Sequence, residues 1–176
     1  ATSIQAIAEG DYHRVATGNW ATGTNWDAGT KPLFNNNAFV GGGFTATVSG
    51  TEAANNLVVG HNSPTAPGNG TVDVTGTLNV GQDTILGVGG TTGTINVSGG
   101  GTYNAAGNIV TAPGGSGTIN LNNGTLGLGD GSTVLSDIAT AGTGGYLDVA
   151  GGASATVSST ITGGNLFKTG DGEVTF

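Results

Sequence analysis

The chain has two histidines, His13 and His61, and neither Cys nor Met. Acyl transfer by a serine needs the hydroxyl on a sharp turn beside its base. No Gly-x-Ser-x-Gly elbow occurs, and His61 lies in Gly60-His61-Asn62-Ser63-Pro64, which reads as a solvated corner loop. Glycan cleavage needs carboxylates or basic groups clustered on one face. The 11 acidic residues are instead scattered along the chain, and Lys plus Arg number only 3. No catalytic residue is therefore assigned, and the chain reads as a non-enzyme. Asp171-Gly172-Glu173 reads as a calcium-loop signal, but a weak one, a single short acidic run. The glycine runs lack the Lys-Ser/Thr of a phosphate loop. No cofactor or metal ligand is assigned. Lys31 and Lys168 read as solvated lysines rather than as crosslink sites. Trp20 and Trp26 remain as rings that could stack on a sugar, or else cover an apolar surface.

The elements that position these residues follow from repetition. Gly70-Thr71-Val72-Asp73-Val74 matches Gly93-Thr94-Ile95-Asn96-Val97 and Gly117-Thr118-Ile119-Asn120-Leu121. Gly145-Tyr146-Leu147-Asp148-Val149 reads as a looser fourth copy. A second short stretch follows each: Thr77–Gly81, Thr102–Ala105, Thr125–Gly129 and Ala155–Ser158. A third apolar stretch closes each unit, as at Ile85-Leu86 and Ile109-Val110. Apolar and polar residues alternate with period two, the signature of strands. Units of this length, with glycine corners, predict an all-β, single parallel β-solenoid of about five to six coils, three short strands per coil. The expected interior is Val72, Val74, Ile95, Val97, Ile119, Leu121, Leu147 and Val149. Asp73, Asn96, Asn120 and Asp148 are expected to form one outward ladder. Residues 1–42 read as an arm and aromatic cap, and 43–176 as the repeats.

Composition narrows the partners. Gly supplies 37 of 176 residues and the formal net charge is -8. So few basic groups argue against nucleic acid and against an anionic membrane surface. No apolar run reaches the length of a membrane span. An Ala1-Thr2-Ser3 start would suit a processed, exported protein. The last residues, Gly172-Glu173-Val174-Thr175-Phe176, stop within a strand-like pattern. An unpaired edge there would accept strands of another copy. Ile4, Ala6 and Ile7 at one end, with Leu166, Phe167, Val174 and Phe176 at the other, are the expected assembly contacts. The alternative is a monomeric adhesin or glycan-binding module presenting Trp20 and Trp26.

Two stretches resemble bacterial autotransporter passenger proteins. Gly18-Asn19-Trp20-Ala21-Thr22-Gly23-Thr24-Asn25-Trp26 is similar to the opening of passenger repeats. Gly164-Asn165-Leu166-Phe167-Lys168-Thr169-Gly170-Asp171-Gly172-Glu173-Val174-Thr175-Phe176 resembles the autotransporter-associated β-strand motif. Leu126–Gly131 resembles one turn of a calcium-binding nonapeptide solenoid, a motif that works only in tandem. The passenger resemblance implies a secreted surface β-solenoid on a bacterial cell. Its expected role is a subunit stacking head to tail with copies of itself into an extracellular filament.

Overall fold

The computed structural model describes residues 10–176. Three parallel sheets run side by side along one axis, and the chain visits them in rotation. The first sheet holds eight strands: Asp11–His13, Asn37–Val40, Leu57–Val59, Thr84–Leu86, Ile109–Thr111, Thr133–Val134, Ser154–Val157 and Glu173–Thr175. The second holds seven: Gly18–Asn19, Thr45–Val48, Gly70–Val74, Thr92–Ser98, Ser116–Asn122, Asp137–Thr140 and Ile161–Gly163. The third holds six: Thr51–Ala54, Thr77–Val80, Thr102–Ala105, Thr125–Leu128, Gly145–Val149 and Leu166–Thr169. The fold is a β-solenoid of about seven turns. That is more than the repeat text shows, because Asp11–His13, Gly18–Asn19 and Asn37–Val40 join the sheets before the legible repeats begin.

Each strand lies on the same strand one coil away, at the usual parallel spacing of about 4.8 Å. Thr94, Ile95, Asn96 and Val97 pair with Thr71, Val72, Asp73 and Val74 on one side. On the other side they pair with Thr118, Ile119, Asn120 and Leu121. Their alternating apolar side chains fill the interior, and all eight residues expected there are buried. The glycine that opens each repeat has a steric cause. A Cβ on Gly70 would lie 1.9 Å from the Val40 carbonyl oxygen, and one on Gly93 would lie 2.0 Å from that of Val59. The strand begins where the chain turns tightly against the preceding coil, and only hydrogen fits.

The fourth copy of the repeat is not where its text suggests. Gly145–Val149 pairs with Thr125–Leu128 and so belongs to the third sheet. The second-sheet strand of that coil is Asp137–Thr140, with Ile138 beside Ile119 and Ala139 beside Asn120. Likewise Ser154–Val157 lies in the first sheet, not beside the other second stretches. Leu147 and Val149 still face the core, because alternation puts them inside whichever sheet holds them.

Asparagine side chains tie the coils together outside. Asn96 Nδ2 donates to Asp73 Oδ1 at 2.7 Å, and Asn120 Nδ2 donates to Asn96 Oδ1 at 2.7 Å. Asp148 is not in this row. It stands in a third-sheet row running Ala53, Asn79, Asn104, Gly127, Asp148 and Thr169. There Asn104 Nδ2 donates to Asn79 Oδ1 at 2.9 Å. A further ladder turns the corner into the first sheet. The Asp83, Asn108 and Thr133 backbone N–H groups donate to the side-chain oxygens of Asn56, Asp83 and Asn108, at 3.1, 2.9 and 2.9 Å. Each acceptor satisfies a corner N–H that no sheet partner reaches.

Candidate functional site

Three regions of the described residues depart from the regular stack. The first is the edge formed by the last strand of each sheet: Ile161–Gly163, Leu166–Thr169 and Glu173–Thr175. Each pairs on one side only among the described residues. Leu166 and Val174 are partly buried against the core, while Phe167 and Phe176 are exposed, Phe176 by 72%. The Phe167 ring stacks on Tyr146 at 5.6 Å. Phe176 lines an open hollow of about 490 Å³ with Leu135, Val157 and Ile161. Ile4, Ala6 and Ile7 lie outside the described residues.

One interior column links this edge to the first coils. In the third sheet Glu52, Leu78, Tyr103, Leu126, Leu147 and Lys168 are in register. Both outer members are ionic. Glu52 is 7% exposed, and its Oε2 accepts from Lys31 Nζ at 2.7 Å. Lys31 is thus paired, not simply solvated. Lys168 Nζ reaches the carbonyls of Thr169 and Gly170, at 3.2 and 2.7 Å. Within the column, Tyr103 is fully buried, its hydroxyl hydrogen-bonded to Thr84 Oγ1. Burial pushes that phenol above its ordinary range.

The second region is a groove of about 590 Å³ on the outer face of the third sheet. Asn79, Asn104, Gly127 and Asp148 form its floor, and Phe34 stands at one end, 63% exposed. A Cβ on Gly81 would lie 2.8 Å from the Phe34 ring, so the missing side chain seats that ring. Gly127 likewise leaves room for Asn104, whose Oδ1 would lie 2.2 Å from a Cβ there.

The third region lies in the first coils. Trp20 and Trp26 are both buried, edge to face at 4.8 Å, and Trp26 Nε1 donates to the Trp20 carbonyl at 2.9 Å. Sugar stacking needs an uncovered ring face, and here both rings pack into the same apolar core as the coils. Arg14 lies over the Trp26 ring at 4.9 Å. Its Nη2 donates to the Gly18 and Asn19 carbonyls, and no carboxylate pairs with it among the described residues. Burial lowers its pKa to about 10, so it keeps its charge at neutral pH. His61 is not a solvated loop residue: only 2% is exposed. Its ring meets His13 and Phe39, each at 5.6 Å between centroids. Ser63 Oγ lies 3.0 Å from His61 Nδ1 and 3.4 Å from His13 Nδ1.

No sequence pattern marks the groove, Arg14 as a buried cation, or the paired histidines. His13 and His61 are 48 residues apart (61−13) with no motif joining them. No set of three or more His, Asp or Glu side chains converges as a metal site among the described residues. No described helix is long and apolar enough to cross a membrane. No protein-family model, curated protein or solved structure matches the chain.

Proposed function

We propose that this chain is a structural subunit whose terminal coil accepts the first coils of another copy, building a head-to-tail filament outside the cell. The observation that carries the reading is the edge at Ile161–Gly163, Leu166–Thr169 and Glu173–Thr175, bordered by exposed Phe167 and Phe176. A sheet edge offers unpaired N–H and C=O groups, and apolar surface beside it adds burial to the pairing. A heterologous contact of this kind propagates along one axis without closing. The low content of basic residues and the passenger-like text at both ends support placement on a bacterial surface.

Sedimentation velocity over a hundredfold concentration range tests this, with the chain lacking 167–176 beside it. Assembly that grows with concentration and disappears on truncation supports the reading. Monomers at every concentration overturn it. The groove favours a second reading, a glycan-binding module, because amide and carboxylate groups sit beside an exposed ring at Phe34. Saturable binding of a soluble oligosaccharide by a monomeric chain would favour that alternative.

A further inference from the structure

The segment Gly60–Gly68 crosses the corner between the first and second sheets and touches the coils on both sides. His61 and Gly68 pair backbone to backbone in antiparallel sense, their N–H groups donating to each other's carbonyls at 3.0 and 2.6 Å. Toward the first coils, the loop rests on a corner kept free of side chains. A Cβ on Gly41 would lie 2.6 Å from the Ala66 carbonyl oxygen and 2.7 Å from His61 Nε2. Toward the following coil, Asn62 covers Gly89, where a Cβ would lie 2.2 Å from Asn62 Nδ2. Ala66 holds φ at +49°, a left-handed conformation unfavourable for a residue with a Cβ. It lies against the Gly41–Gly42 corner, where a Cβ on Gly42 would come 3.2 Å from the Ala66 Cβ.

The loop is anchored by one ring. His61 is enclosed by Phe39, His13 and the Gly41 corner, and its buried Nε2 has no hydrogen-bond partner among the described residues. Around it, His13 is the titratable neighbour, its own ring stacked on Phe39 at 4.7 Å. Asp27 accepts the His13 backbone N–H through Oδ1 at 2.9 Å. Arg14, next in the strand, is directed to Trp26 and the Gly18 carbonyl. Phe39 and the glycine corner bring no charge, and the loop adds the Ser63 backbone N–H, which donates to His61 Nδ1 at 3.3 Å, and the Ser63 hydroxyl, which donates to the Thr65 carbonyl at 3.0 Å. No carboxylate is hydrogen-bonded to either imidazole among the described residues, so a proton on His61 would meet burial and a second imidazole.

We propose that Gly60–Gly68 is an acid-released clasp: neutral His61 holds it across three coils, and protonation of that ring opens it while the stack beneath stays folded. The direction follows from linkage. Burial, with a smaller contribution from His13, lowers the His61 pKa to about 4. The open loop returns the ring to its ordinary value of about 6.5. The open form therefore binds the proton more tightly. Closure is complete above about pH 6.5 and weakens as pH falls toward about 4.

Amide hydrogen exchange of the whole chain, expressed as protection factors from pH 7 to pH 4, tests the clasp. The His61 and Gly68 amides should lose protection by about tenfold per pH unit below pH 6.5, the slope for one proton. Amides of Thr92–Ser98 should hold theirs. In His61→Phe the loop should stay equally protected across the range. An NMR titration of His61 in the unaltered chain supplies an independent reading if that variant does not fold. A midpoint near 4 fits the clasp, and one near 6.5 overturns it. Constant loop protection, or loss shared equally with Thr92–Ser98, would also overturn it.

Discussion

The central coils and the first coils solve the same packing problem with different materials. From Gly70 to Leu128 the interior positions of the second and third sheets repeat in kind, Val or Ile over Ile, Leu over Tyr over Leu, with Asn ladders outside. Between Asp11 and Gly68 the buried positions instead hold two indoles, a guanidinium bonded to backbone carbonyls, two imidazoles and a lysine-bound glutamate. A middle coil has a like neighbour on both sides, so one solution can be copied. The first coils must pack against non-repeating chain as well. Their side chains are correspondingly large, polar and individually placed.

That contrast can be broken most forcefully in the centre. Leu121→Ala, between Val97 and coil-mate side chains at full burial, should cost about 2–5 kcal/mol. Urea unfolding should report it as one transition moved to lower denaturant, because each coil is held by its neighbours. A smaller, local effect is expected at the start. Lys31→Ala strands the Glu52 carboxylate in an apolar column and should cost about 1–3 kcal/mol. Adding Glu52→Leu should restore most of the loss, since Leu78 beside it shows that the column takes leucine. If the double variant stays as unstable as the single one, the column is not equivalent along its length. The smallest effect belongs to the ladder. Asn96→Ala removes one donor and one acceptor at a half-buried surface and should cost about 1 kcal/mol, read from the same urea curves.

The same contrast explains what the sequence made legible. The solenoid was readable because Gly-Thr-Val/Ile-Asp/Asn recurs, and stacking demands that like residues meet. The misreading of Gly145–Val149 has a physical basis. Period-two alternation is common to all three sheets, so text alone does not say which sheet a strand joins. Asp137–Thr140 lacks the glycine opening and the outward Asn, and the later strand resembles the repeat better. The His61 environment was illegible because it is made by a loop folding back on Gly41 and His13, contacts without local pattern. Phe34 lies within residues 1–42, the segment read as an arm and aromatic cap, yet its ring lies against Gly81 outside the third sheet. The last strands were readable from their text, but the company of Leu135 and Ile161 beside Phe176 was not.

The central functional claim is that the last coil binds the first coils of another copy. Negative-stain electron microscopy of the chain, beside the chain lacking 167–176, tests it most directly. The account predicts unbranched filaments from the former and single particles from the latter. Compact single particles in both samples, at concentrations where the coils are folded, would contradict it.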